Sequence, residues 1–155
     1  MEKYMDNGCF KGSAPSRYDR REKGVDEMKA QINLVTIVTD DMAGMTIFYR
    51  DVLGFTVKSE APGYVEFDNE GVRFSICSRE TMSDITDGHS SFKEEKKGQS
   101  FELAFPCETP EEVEQSYKEI IEKGATPIKE PSQMPWGQTT AFFADPDGNI
   151  HEIFC

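Results

Sequence analysis

Apolar and polar positions along the first half of the chain predict a strand, a helix and three further strands. Residues 32–38 form a short β-branched run, which is typical of a strand. Asp40 or Asp41 can cap a helix that runs to about Leu53, where apolar side chains recur at helical spacing and Gly54 ends the helix. The three strands that follow are predicted at 55–59, 64–67 and 72–77.

The second half of the chain repeats this order of elements. Residues 101–105 predict a strand, and Thr109, followed by proline and two glutamates, predicts the start of a helix that ends at Gly124. The last three strands are predicted at 126–130, 139–144 and 150–154, with 145–149 as the final turn. Aligning the two halves places Tyr49 on Tyr117. The pattern therefore predicts an α+β fold made of two βαβββ modules.

Two segments fall outside the modules. Residues 1–27 contain six basic and six acidic residues and no sustained apolar pattern, so we expect a flexible N-terminal extension before a domain at 28–155. Residues 79–99 are polar, which predicts a linker between the modules or a mobile flap.

The net charge of the chain limits which classes of partner it is expected to bind. With 17 basic and 29 acidic residues the formal net charge is -12, which repels nucleic acid and favours a cationic ligand or simple solubility. Neither an apolar run long enough to span a membrane nor a signal-like apolar segment is present in the sequence, so we expect no membrane partner and a cytoplasmic location. The four cysteines form no C-x-x-C motif and are expected to be thiols, not a disulfide framework or a zinc site.

Three sequence segments carry a resemblance to a known family. They are Phe-Tyr-Arg-Asp-Val-Leu-Gly-Phe at 48–55, Met-Pro-Trp-Gly-Gln at 134–138 and Asp-Pro-Asp-Gly-Asn-Ile-His-Glu-Ile-Phe at 145–154. Together with the doubled βαβββ order, they resemble the glyoxalase/bleomycin resistance protein/dioxygenase (vicinal oxygen chelate) superfamily. The resemblance implies two modules whose sheets curl into a cup with the helices outside, and a homodimer.

The resemblance also implies where a metal would bind. A frequent ligand set in metal-using members is histidine on the first strand, glutamate on the fourth, histidine on the fifth and glutamate on the eighth. The matching positions here are Leu34, Ser75 (Phe74 or Cys77 in another register), Glu102 and Glu152. Both histidines are therefore replaced, and two carboxylates remain. Such a pair would hold Mg²⁺ or Mn²⁺ weakly and would not favour Zn²⁺ or Ni²⁺, so we expect no metal cofactor.

Strand alternation independently supports the position of Glu102. Phe101, Leu103 and Phe105 are apolar and are expected to face the helix, which turns Glu102 toward the cup. If Glu152 lies across from it, one pKa should rise, or the pair should recruit a cation. The alternative is that Glu102 lies at the solvent-exposed mouth of the cup and has no function.

The aromatic and imidazole side chains give weaker signals. Trp136, in a Pro-Trp-Gly loop, can stack on a flat or cationic ligand, or it can be a rim residue that packs on the sheet or across a dimer. Of the adjacent Phe142 and Phe143, one must face the cup. His151 is expected to point away from the cup because it neighbours Glu152, and His89 lies in the polar segment.

Two functions follow as hypotheses, and neither assigns a catalytic residue. The first is a binding protein that resembles the bleomycin-resistance branch and sequesters a cationic or aromatic small molecule, with Leu34, Ser75, Glu102, Trp136 and Glu152 lining the site. The second is a divalent-metal-dependent glyoxalase-like lyase, isomerase or dioxygenase that uses Glu102 and Glu152. A catalytically idle subunit is the remaining alternative.

Overall fold

Two four-stranded sheets hold all the strands in the described part of the chain, which in this computed structural model comprises residues 31–94, 98–99 and 101–155. Sheet A has the order β1-β4-β3-β2 and contains β1 (Leu34–Thr39), β2 (Val57–Ala61), β3 (Tyr64–Phe67) and β4 (Arg73–Ser78). Sheet B has the order β5-β8-β7-β6 and contains β5 (Ala104–Pro106), β6 (Thr126–Gln133), β7 (Thr139–Ala144) and β8 (Ile150–Phe154). In each sheet the first and last strands of the module are parallel and the other pairs are antiparallel. The doubled βαβββ order and the α+β class are confirmed.

The two predicted module helices begin at capped positions. Asp41 caps α1 (Met42–Ile47), because its carboxylate accepts a hydrogen bond of 2.9 Å from the Gly44 amide. Thr109 caps α3 (Pro110–Glu122) in the same way. The first helix does not stay α-helical to its end: Phe48–Val52 form a π-helical turn, closed by a hydrogen bond of 3.1 Å from the Leu53 amide to the Phe48 carbonyl. This wider turn brings both Phe48 and Tyr49, although adjacent, into the core.

The segment after β4, predicted as a linker between the modules or a mobile flap, has more regular structure than its polar sequence indicates. It contains a helix, α2 (Arg79–Ile85), and a 3₁₀ turn (Ser90–Phe92). Ser78 caps α2, and Arg79 forms an ion pair of 2.8 Å with Asp40 at the end of β1. The sequence did not predict α2 because this helix buries none of its side chains fully and so lacks the apolar period by which a helix is recognised.

One core joins the two modules. Tyr49 is fully buried, and its ring packs against Phe67 and Phe74 of sheet A and against His151 of sheet B. Because the helix-facing sides of both sheets contribute to this core, the helix-free faces of both sheets point away from it. Residues Ile32–Cys155 form one compact unit.

Three predictions from the sequence concern features other than the strands and helices of the two modules. The predicted extension at 1–27 lies outside the described residues, and the boundary at Met28 stays a prediction. Among the described residues, no helix is long and apolar enough to cross a membrane. The cytoplasmic location also stays a prediction.

Candidate functional site

Two glutamates, Glu102 and Glu152, form an acid pair on sheet B. Glu152 lies in β8, where its register partner on β5 is Ala104 and its amide donates a hydrogen bond of 3.0 Å to the Leu103 carbonyl. Glu102 precedes β5 and has the same strand parity as Ala104, which is exposed, whereas its neighbours Phe101 and Leu103 pack against the core. The acid pair therefore lies on the helix-free face of sheet B.

The environment of Glu152 disfavours its charged form. Partial burial and then the negative charge of Glu102 raise the pKa of Glu152 above the ordinary glutamate value. Glu152 is half-buried and Glu102 is exposed, so solvent species can reach the pair. A proton or a cation that binds there reduces the repulsion between the two carboxylates.

Two phenylalanines flank the acid pair on the same face. Phe142 is the register partner of Glu152 on β7, and Phe154 follows Glu152 by two positions on β8. Both are half-buried, whereas Phe143 is fully buried in the core. The sequence alone does not decide between Phe142 and Phe143, and the alternation of Phe154 with the buried Ile153 is the signal that could have identified Phe154.

Trp136 lies at the tip of the hairpin between β6 and β7. Its side chain is 68% exposed, and its indole N–H donates a hydrogen bond of 3.0 Å to Gln138. Gly137 has a φ of 100°, a conformation that favours glycine, and it closes the turn with a hydrogen bond to Met134. Three strand positions separate the start of β7 from Phe142, a distance of about 10 Å. Trp136 is thus an exposed ring in the loop that leads into β7, the strand that carries Phe142.

Leu34 and Ser75 lie on sheet A, not beside the acid pair. Leu34 is 38% exposed at the start of β1, and Ser75 is fully buried in β4. Ser75 pairs in register with Thr36, and the two hydroxyls lie 2.8 Å apart. Phe74 belongs to the core, so the register places Ser75, not Phe74, on the helix-free face.

That face of sheet A carries a charged network that sequence analysis missed. Glu66 is buried, yet it accepts hydrogen bonds from Arg73, Lys58 and Tyr64. The hydrogen bonds from Arg73 have the largest influence, and with those from Lys58 and Tyr64 they outweigh burial and lower the pKa of Glu66 to about 2. Arg73 and Lys58 are about half exposed. The helix-free face of sheet A therefore carries exposed cationic groups, whereas that of sheet B carries the acid pair.

His151 belongs to a buried network on the helix side of sheet B, as alternation predicts. Its Nδ1 accepts a hydrogen bond of 3.2 Å from the Leu103 amide, so Nε2 carries the ring proton. Nε2 lies 3.1 Å from the Tyr49 hydroxyl and 3.3 Å from Asp145. Both ring nitrogens are therefore engaged away from the acid pair.

The residues at the family's metal positions do not fit the set of two histidines and two glutamates. Leu34 has no donor atom, and the Ser75 hydroxyl is paired with Thr36. Within the residues that the structure describes, no group of three or more histidine, cysteine, aspartate or glutamate side chains is arranged to hold a metal ion. The acid pair offers carboxylate oxygens only, which suit a hard cation bound weakly or an organic cation.

Comparison with known proteins agrees with this architecture. The sequence model of the Glyoxalase/Bleomycin resistance protein/Dioxygenase superfamily matches residues 31–153. The uncharacterized protein YraH of Bacillus subtilis (strain 168) is 29% identical over 123 residues, which cover 77% of this chain and 94% of that protein.

Solved structures show the same fold. A glyoxalase/bleomycin resistance protein/dioxygenase from Nocardioides matches with a TM-score of 0.73 at 26% identity, covering 84% of this chain and 85% of that one. A family enzyme from Burkholderia phytofirmans PsJN matches with a TM-score of 0.72 at 27% identity, covering 81% of this chain and 98% of that one. On a family match that spans nearly all of the described residues, the chain belongs to the glyoxalase/bleomycin resistance protein/dioxygenase superfamily.

Proposed function

We propose that this protein binds a flat, cationic small molecule on the helix-free face of sheet B and sequesters it, as bleomycin-resistance-type proteins do. The observation that carries the proposal is the acid pair with Phe142 and Phe154 on the same face. A cation beside two mutually repelling carboxylates lowers their energy, and its ring system can lie on the phenylalanine rings. Trp136 supplies a further exposed ring in the loop that leads into β7.

The proposal includes a homodimer. β1 and β5 are edge strands of their sheets, and the helix-free faces of sheets A and B both point away from the shared core. Ile32 precedes β1 and is 72% exposed, and Leu34 begins β1 and is 38% exposed. An exposed apolar edge is a ready surface for a second chain. Placing β1 of one subunit beside β5 of the other would enclose a ligand between sheet B and the partner's sheet A.

The binding proposal is tested with ethidium, a flat monocation, and with phenanthridine, its uncharged parent ring. We expect ethidium to quench the fluorescence of the single tryptophan and to bind about tenfold more tightly than phenanthridine, because a cation near aromatic rings gains about 1–2 kcal/mol. Calorimetric titration of Trp136→Ala should show ethidium binding weakened about tenfold. Ile128→Ala, which trims another exposed apolar residue of sheet B, is the matched control and should bind normally.

Equal affinities for ethidium and phenanthridine would contradict a role for charge. An unchanged affinity in Trp136→Ala would remove Trp136 from the site while leaving the acid pair to be tested separately. Competition by millimolar Mg²⁺ or Mn²⁺ would show that the acid pair also takes a hard cation, the chemistry that the metal-dependent alternative needs.

The dimer is tested by sedimentation equilibrium. We expect the wild-type chain to sediment as a dimer and Leu34→Asp to sediment as a monomer, because a carboxylate at the β1 edge would be buried without a partner. Ile85→Asp places the same charge at an exposed position of α2, and this variant should sediment as a dimer like the wild type. A wild-type monomer at high micromolar concentration would refute the dimer.

A further inference from the structure

Two cysteines that are far apart in sequence meet at the ends of neighbouring strands. Pro106 of β5 and Phe154 of β8 are register partners in a parallel pair, and Cys107 and Cys155 are the next residues on each strand. The ladder continues there, because the Cys107 amide donates a hydrogen bond of 2.8 Å to the Phe154 carbonyl. The two cysteines are therefore themselves neighbours across the ladder.

The two side chains point to the same side of sheet B. Both pack against the core formed by the helix-facing residues, and Cys107 Sγ lies 3.9 Å from Ser116 Oγ of α3. Cys155 Sγ donates a hydrogen bond of 3.1 Å to the carbonyl of Glu108, the residue that follows Cys107. Neighbouring strands bring paired Cα atoms to about 5 Å, within the range that a disulfide spans.

We propose that Cys107 and Cys155 form a reversible disulfide when the protein meets hydrogen peroxide. One thiolate attacks an oxygen of the peroxide; the S–O bond forms, the O–O bond breaks and hydroxide leaves, which gives a sulfenic acid. The second thiolate attacks that sulfur; the S–S bond forms, the S–O bond breaks and a second hydroxide leaves, and the two hydroxides take up the two protons that the thiols released. Overall, two thiols and one hydrogen peroxide give one disulfide and two waters, and two electrons pass from sulfur to peroxide.

The surroundings of the pair set its rate. Burial, and more weakly the charges of Glu112 and Cys155, raise the pKa of Cys107, although the hydrogen bond with Ser116 opposes them. The thiolate of Cys107 is therefore scarce at neutral pH, and cross-linking should be faster in mildly alkaline buffer. Cys77, in contrast, is buried in sheet A at 3% exposure.

The test is peptide mapping of the full chain after treatment with hydrogen peroxide and blocking of the remaining thiols. Trypsin releases Cys107 in the peptide 98–118 and Cys155 in the peptide 130–155, so a disulfide appears as one joined species that dithiothreitol separates. We expect this species in the wild type and in Cys77→Ser. The oxidised wild type should melt about 5 °C or more above the reduced protein, because the bond closes a long loop.

Cys107→Ser and Cys155→Ser separately remove the cross-link and serve as each other's check on folding. Neither should gain stability with peroxide. The proposal is overturned if peroxide joins either peptide to a peptide of Cys9 or Cys77, joins two chains, or converts both cysteines to sulfonic acids without a cross-link. It is also overturned if the melting temperature of Cys107→Ser rises as much as that of the wild type.

Discussion

Replacing Asp145 by alanine is expected to lower the free energy of unfolding by about 3–5 kcal/mol. Asp145 is 2% exposed and accepts hydrogen bonds from Tyr49, from His151 and from both the amide and side chain of Asn149. Removing the carboxylate leaves these donors buried without an acceptor. Urea unfolding followed by circular dichroism measures the loss, and Asp68→Ala, at an exposed turn of the first module, is the control with little expected effect.

A milder variant and pH separate this network from general damage. Asp145→Asn keeps the shape of the side chain and should lose less stability than Asp145→Ala. Burial would raise the pKa of Asp145, but hydrogen bonds from His151 and Asn149 outweigh it and lower that pKa. The carboxylate therefore stabilises the fold above the ordinary aspartate pKa of about 3.9, and this stabilisation is lost as pH falls through the folded-state value. An alanine variant that loses less than about 1 kcal/mol at neutral pH would contradict the network.

Neutralising the acid pair is expected to weaken ethidium binding about a hundredfold. Glu102→Gln with Glu152→Gln keeps the shape of the face and removes both charges, and losing contacts with two close charges costs about 2–3 kcal/mol. Glu111→Gln with Glu114→Gln removes the same charge from the exposed face of α3 and is the matched control. Calorimetric titration at low and moderate salt measures both. Equal affinities of the two double variants would mean that only the overall charge attracts the ligand.

Ethidium binding is expected to depend on pH through Glu152. Because the pKa of Glu152 is raised, Glu152 should become neutral before ordinary glutamates as the pH is lowered. The midpoint of the loss of ethidium binding should therefore lie above the ordinary glutamate pKa of about 4.3. In Glu102→Gln the repulsion is gone, so the pKa of Glu152 falls and the loss of binding moves to lower pH. A midpoint that stays in place in Glu102→Gln would show that the two carboxylates do not act as a pair.

Local patterns predicted much of this molecule. The β-branched runs, the caps at Asp41 and Thr109 and the two βαβββ series gave the fold, because each depends on neighbours in the sequence. Alternation placed Glu102 and Glu152 on one face and turned His151 to the other. These features need only the period of a strand.

Features that depend on distant residues could not be predicted in this way. The hydrogen bond between Tyr49 and Asp145 and the pairing of Cys107 with Cys155 require the register of strands far apart in the chain. The helix α2 was missed because it packs without a continuous apolar face. Glu66 was missed because only the structure reveals Lys58 and Arg73 around it.

The tyrosine that occupies corresponding positions in the two halves of the chain has acquired two different roles. The Tyr49 hydroxyl donates a hydrogen bond to Asp145 in the other half of the chain. Tyr117 of α3 instead interacts with Glu130 of β6 in its own half, and burial and that carboxylate raise the pKa of Tyr117. The internal duplication is therefore no longer symmetric. A chain built from two copies of the first half would keep Tyr49 and lose its acceptor Asp145, so the two halves are not interchangeable.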